Sequence, residues 1–325
     1  MLPGKVPPEL LVRLLSLLPI GEEVLIGPGE GLDFAALMAD GEVIVVSTDP
    51  ITGSGRRIGF YAVHVNANDV AVSGARPRWF LTTILLPEGA DEGLAEEIVA
   101  EIAENSEKIG VSVVGGHTEV TPGLNRPIVV GTMIGVAEGK LIRPDGARPG
   151  DAIVLTKWAA LEGTAIIAEE RREELVDAFG EELIGRAIGF LEMISVLREA
   201  MIARDFARAM HDPTEGGLAN GLHEMANSAG LGFRVYADRV PIREETERIC
   251  DFYSLNPLAL ISSGALLIAV PPESSGELVT RLRESGIPAT VIGKFLGDSA
   301  VRVIVEGNRE RPLERPISDE LWKVV

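Results

Sequence analysis

Strand-like and helix-like runs alternate through both halves of this chain, and a segment crowded with Pro, Gly and Asp separates the halves. "RWFLTTILLP" is a continuous apolar run, the pattern of a buried strand. "DEGLAEEIVAEIAENSEKIG" follows as the best-marked helix. Asp91 stands at its cap, Leu94, Ile98 and Ile102 recur every four residues, and Gly110 stops it. "VSVVGGHTEV" reads as a strand running into a glycine turn, and "PIVVGTMIGVA" as another strand. After "RPDGARPGD" (Arg143 to Asp151) the alternation restarts. It gives a strand in "AIVLTK", helices from about Glu162 to Arg204, and strands in "GFRVYADRVPI", "GALLIAVP" and "ATVIGKFL". This order predicts an α/β or α+β fold. The 325 residues suit two cores rather than one, placed at 1–145 and 146–325.

Nearer the N-terminus, "PPELLVRLLSLL" reads as an amphipathic helix starting at Pro8. "EVIVVSTDPITG" reads as a strand from Val43 to Ser47 that ends at Asp49-Pro50. "IGFYAVHVNANDVAVSGARP" has helical character, closed by Gly74 and Pro77.

A formal net charge of -19 argues against nucleic acid or an anionic membrane as the main partner. It leaves ATP open, because Mg²⁺ bridges acidic side chains to phosphates. The single cysteine, Cys250, permits no intrachain disulfide and reads as a passive thiol. No apolar run reaches spanning length, and no basic region with a small-residue cleavage site precedes the first helix, so a cytoplasmic protein is expected. The absence of glutamine beside abundant charged residues suggests a hot-environment host.

The residues with chemical potential sit at predicted element ends. Asp33, Asp49, Asp69 and Asp212 are hard oxygen donors scattered over several elements, which suits Mg²⁺ held together with substrate phosphates. Asn66 and Asp69 are three apart and share a helix face. In "GGHTE", Gly115 and Gly116 allow close backbone approach, and His117 and Glu119 are of types that bind metal or move protons. "HDPTEGGLANGL" reads as a helix start with Asp212 at N-cap, Pro213 at N1 and Glu215 closing a capping box. It also reads as a carboxylate beside Gly216 and Gly217, where a phosphate is received. "GPGEG" (Gly27 to Gly31) indicates a turn only, and His64 and His223 lie inside helices as structural residues.

Taken in order, these segments resemble the ATP enzymes related to aminoimidazole ribonucleotide synthetase, the PurM-like superfamily. "GLDFAAL" is similar to its first aspartate segment and "VSTDPITG" to its second. "NANDVAVSGARP" is similar to its Asn-x-x-Asp helix and "VVGGHTE" to its Gly-Gly-x-Thr turn. "MHDPTEGGL" and "SSGALLIAVP" resemble motifs of its second domain. The hydrogenase-maturation (HypE) branch is the most similar in motif. The resemblance implies a two-domain α/β (α+β) chain whose N-terminal domain forms a β-barrel shared between two copies, with a C-terminal α/β domain. It implies ATP and Mg²⁺ as cofactors, with Asp33, Asp49, Asp69 and Asp212 as metal or phosphate ligands. Asn66, Gly116, Thr118, Gly216 and Gly217 become nucleotide contacts, and His117, His211 and Glu119 catalytic candidates. The implied activity is transfer of the ATP γ-phosphoryl to an oxygen of a small molecule. A kinase of the thiamine monophosphate type, a nucleotide phosphatase and a non-catalytic nucleotide-binding accessory protein with a maturation partner are the alternatives. Two positions depart from the HypE pattern. Glu215 stands where that branch has Arg, and the sequence closes in "DELWKVV", where that branch carries a terminal cysteine.

Overall fold

A computed structural model describes residues 6–29, 31–52 and 56–325. Glu30 of the "GPGEG" stretch and Gly53 of "VSTDPITG" lie outside the described residues. The chain is of mixed α/β class and divides into two compact units. One comprises Ile20–Gly27 and Asp33–Leu141, and the other holds the chain up to Pro19 together with Pro28–Leu32 and Ile142–Val325.

The first unit is built on six strands: β1 (Val24–Ile26), β2 (Ala35–Ala39), β3 (Glu42–Ile51), β4 (Arg76–Leu86), β5 (Ser112–Val120) and β6 (Ile128–Val136). Their order in the sheet is β1-β2-β3-β6-β4-β5. All neighbours are antiparallel except β4 and β5. That parallel pair needs a crossover, supplied by the well-marked helix α3 (Glu92–Ile109). The Asp91 side chain accepts from Leu94 N at its start, and Gly110 ends it in the left-handed region. Within one chain the sheet is open rather than a closed barrel.

Helix α2 (Ile58–Ala71) packs on this sheet and on α3, and all fourteen of its residues are buried. A helix apolar nearly all round has no solvent face to keep, and its small residues, Ala62, Ala67 and Ala71, permit close packing. It ends at Ala71, and Pro77 belongs to β4.

Two sequence expectations change here. Strand β3 runs on to Ile51, so Asp49 and Pro50 lie within it. Its pairing with β2 stops at Val46, and only β6 accompanies it further. One edge is therefore open at Pro50, which lacks a donor and is tolerated there. The "GGHTE" segment is not a turn but the body of β5. Gly116 is extended, and a Cβ there would stand 2.2 Å from the Thr82 carbonyl oxygen of β4.

The second unit carries strands β7 (Ala152–Thr156), β8 (Ala209–His211), β9 (Gly232–Tyr236), β10 (Leu267–Val270), β11 (Ala289–Leu296), β12 (Arg302–Glu306) and β13 (Arg309–Pro312). They form one sheet in the order β13-β12-β9-β11-β7-β10-β8. It is antiparallel except between β9 and β12. Its central strands β7 and β10 are buried throughout, so they are apolar runs rather than alternating ones. The helices are α1 (Pro8–Leu15), α4 (Leu161–Glu170), α5 (Arg172–Phe179), α6 (Glu181–Ile188), α7 (Leu197–Ala203), α8 (Gly217–Ala229), α9 (Glu244–Tyr253) and α10 (Pro272–Glu284). Leu218, Leu222 and Met225 of α8 join Phe233, Leu267, Ile292 and Phe295 of the sheet in one core. Among the described residues no helix is long and apolar enough to cross a membrane.

Candidate functional site

In the first unit, β3 and α2 bring three of the predicted residues together. Asn66 is fully buried, and its amide is wholly engaged. Its Oδ1 accepts from Asp49 N at 2.9 Å, and its Nδ2 donates to the Asp49 carbonyl at 3.3 Å and to the Ala62 carbonyl at 2.9 Å. The helix thereby grips the main chain of Asp49 from both sides. Opposite Asp49 on β6 stands Gly131, where a Cβ would meet Asn66 Nδ2 at 2.4 Å. The glycine makes room for the clamp. One turn along α2, buried Asp69 accepts from Ser47 Oγ at 2.5 Å, again tying α2 to β3. Asp33 is half-buried just before β2.

His117 and Glu119 are two apart on β5 and so face the same side, with Nε2 and Oε2 3.0 Å apart. Both are exposed, and the hydrogen bonds from His117 and Thr121 hold the Glu119 carboxyl below its ordinary value. Gly116 and Thr118 share this exposed strand.

In the second unit the opening of α8 differs from the expected capping box. The helix starts at Gly217, its cap is Gly216, and no side chain caps it. Gly216 and Gly217 are both left-handed (φ +76° and +59°), so the chain turns twice before the helix can begin, and Asp212 lies too far upstream to cap it. Asp212 is 1% exposed, directly after β8. His211, the last residue of β8, is buried and its Nε2 lies 3.1 Å from Glu224 Oε2 on α8. Arg315 approaches the same carboxylate at 3.8 Å. The Cα and side chain of Glu224 also lie against Gly31, where a Cβ would come within 2.9 Å.

Sequence reasoning missed Glu224, thirteen residues from His211, because nothing local joins them. It also missed an acidic group around the same turn. Asp319 Oδ2 accepts from Gly216 N at 2.6 Å, and its Oδ1 accepts from Leu321 N. Burial first, and repulsion from Glu215, push the Asp319 carboxyl up to about 6. Glu162, in the first turn of α4, is enclosed, and among the described residues its Oε2 has no hydrogen-bond partner. Burial, with Asp319 and Glu215 nearby, pushes it up to about 7 although Ser263 acts the other way. The signal available in sequence was a lone acid in the apolar run Ala159–Ala168.

The remaining candidates are structural. His223 Nε2 bonds the Leu313 carbonyl, and His64 Nε2 lies 3.3 Å from Asn105 Oδ1. Burial pushes the Cys250 thiol to about 12, so it carries no thiolate at neutral pH.

Among the described residues no group of three or more His, Cys, Asp or Glu forms a ready metal cage. Carboxylates presented singly, such as Asp49 on its clamped backbone, instead fit a Mg²⁺ that arrives with phosphates and takes one or two protein ligands.

Two family models match the chain, the N-terminal domain of AIR synthase related proteins over residues 31–137 and the C-terminal domain over 148–306. The chain belongs to this family, which is PurM-like. Among curated relatives, a Methanocaldococcus jannaschii protein named for hydrogenase expression and formation is 31% identical across 91% of this chain and 89% of its own length. The carbamoyl dehydratase HypE of Rhodobacter capsulatus is 32% identical across 83% of this chain and 80% of its own. A crystal structure of the hydrogenase maturation protein HypE in complex with ATP superposes with a TM-score of 0.73 at 26% identity, covering 96% of this chain and 91% of that one.

Proposed function

We propose that this chain is a Mg²⁺-dependent, ATP-using enzyme that passes the γ-phosphoryl group to an oxygen of a small substrate. Its relatives include proteins named as carbamoyl dehydratases and a structure solved with ATP, which support an ATP-using enzyme. Removing the oxygen of a carbamoyl group requires making it a leaving group, and phosphorylation does so. A carboxamide or carboxylate oxygen is therefore the acceptor this reading favours.

The observation that carries the reading is the Asn66 clamp on Asp49. A buried amide that holds both the N–H and the carbonyl of one aspartate's backbone is what a phosphoryl-transfer site needs, because that chemistry depends on positioning and charge neutralisation. Mg²⁺ bound with the nucleotide would neutralise phosphate charge. Asp49, with Asp33 and Asp69 of the same unit, is the proposed source of protein ligands. Gly116 and Thr118 on β5 offer backbone and hydroxyl contacts to the nucleotide, and His117 with Glu119 a proton-accepting pair. In the second unit, Asp212 and the Gly216-Gly217 turn are proposed to meet the phosphates or the acceptor. His211, oriented by Glu224, is the proton-transfer candidate there.

The test is ADP formation with Mg·ATP and a panel of carboxamides and carboxylates, alongside ATP binding by calorimetry. Asp49→Asn combined with Asp212→Asn is expected to abolish turnover, and wild-type turnover in that double variant would overturn the assignment.

We also propose a homodimer joined along β5. All nine residues of that strand are exposed, it lies at the sheet edge, and Val113, Val114 and Val120 are open to solvent. An edge this long and apolar calls for a partner strand. A maturation partner protein is a further proposal, supported by a structural neighbour solved as a HypE-HypF complex.

A further inference from the structure

We infer a second small-molecule site in the C-terminal unit, a pocket for compounds that carry a carboxylate or phosphate on a flat apolar body. The site is a depression open to solvent, about 430 Å³ in volume, lined by Trp158, Arg186, Ile242, Arg243, Glu244 and Glu245. That volume suits a ligand of one or two rings. None of these residues belongs to the proposed phosphoryl-transfer site.

The floor is organised by one carboxylate. Glu245 is 2% exposed and accepts from Arg186 Nε at 2.6 Å and from Arg243 Nε at 3.3 Å. Those two guanidinium groups hold its carboxyl below the ordinary range in spite of burial. One negative charge therefore fixes two positive ones in place. Each arginine meets Glu245 through its Nε, which leaves its terminal N–H donors unspent on that carboxylate. Among the described residues Arg243 hydrogen-bonds only through Nε. Arg186 gives one terminal nitrogen to Glu182, whose side chain is 92% exposed. A bond to so exposed a group is worth little and yields readily to a better placed anion. Glu244 pairs with Arg248 at 2.7 Å and adds its charge to the field around Arg186, so an anion must displace or outcompete exposed carboxylates here. Planar forks of this kind match the paired oxygens of a carboxylate or phosphate.

The apolar wall is built as deliberately. The Arg243 guanidinium carbon lies 5.0 Å from the Trp158 ring centre and 5.7 Å from that of Phe190, within cation–π reach of both aromatics. Trp158 rides on a constrained loop. Lys157 and Ala160, on either side of it, are both left-handed without being glycine (φ +52° and +61°). Lys157 Nζ is anchored to the carbonyls of Met193 and Ser195 and to Glu199, Ala159 N to the Pro241 carbonyl, and Ala160 N to Ser262 Oγ. The strain is held by these bonds, and the result is an indole placed beside two oriented guanidinium groups.

The experiment uses the full-length protein and phenyl phosphate, benzoate and inorganic phosphate as probes, by calorimetry and saturation-transfer NMR. Phenyl phosphate or benzoate is expected to bind saturably at one site with Kd below about 1 mM, and inorganic phosphate more weakly, for want of the ring. Arg243→Met should weaken the aromatic anion about tenfold or more while leaving ATP turnover unchanged. Trp158→Leu alters no charge and should weaken it about threefold, with the thermal midpoint confirming that either variant is folded. No saturable binding of either aromatic anion, or equal affinity in wild type and folded Arg243→Met, would overturn the assignment.

Discussion

Single carboxylates in this chain differ in what burial does to them. Glu162 and Asp319 both gain protons on folding, at about 7 and about 6 against ordinary values of 4.5 and 3.8. An acid whose value rises on folding stabilises the fold fully only below its unfolded value, and that contribution disappears as pH rises through the folded value. Thermal stability of the C-terminal unit is thus expected to fall between about pH 4 and pH 7, and Glu162→Gln should flatten that slope in melts at constant ionic strength. Asp69 accepts from the Ser47 hydroxyl, which ties α2 to β3. Ser47→Ala removes that donor from a buried carboxylate and should cost about 1–3 kcal/mol in denaturant unfolding. Residues of this kind were unevenly legible. The acids that stand beside glycine or proline, such as Asp49 and Asp212, announce themselves in sequence. Glu162 and Glu224 do not, because what matters about them is burial and a partner far along the chain.

Elements were legible where local signals agree with packing. Helix α3 carries its own cap, period and stop, and it forms as its residues indicate. The "HDPTEGG" start misled because a capping box and a double glycine turn use the same residue types, and only the left-handed backbone at Gly216 and Gly217 separates them. Likewise "GGHTE" looks like a turn until β4 is seen pressed against Gly116. The pairing of α2 with β3 and β6 makes Gly131 a sensitive point. Gly131→Ala should displace Asn66, release the Asp49 backbone and weaken Mg·ATP binding more than it lowers the melting midpoint, as calorimetry and thermal scans would show. The loop from β7 to α4 depends on Lys157 and Glu199, whose side chains are 8% and 5% exposed. Lys157→Met strands a buried carboxylate and should cost about 3–5 kcal/mol.

At the scale of the molecule, alternating strands and helices were enough to predict the class, while the order of strands was not readable. Sheet order in both units depends on long-range pairing, such as β12 running parallel to β9, that no window of sequence contains. The exposed length of β5 predicts self-association. Val114→Lys, which puts a charge on that strand, should shift the protein toward monomer in light scattering. One further property follows from Cys250. The only thiol of the chain is buried and pushed to about 12, so it is closed to alkylating reagents in the folded state. A cysteine introduced on any exposed surface would then be the sole target for a maleimide dye or spin label. The chain's own sequence is in effect already a background for site-directed labelling, with no native reactive thiol to remove first.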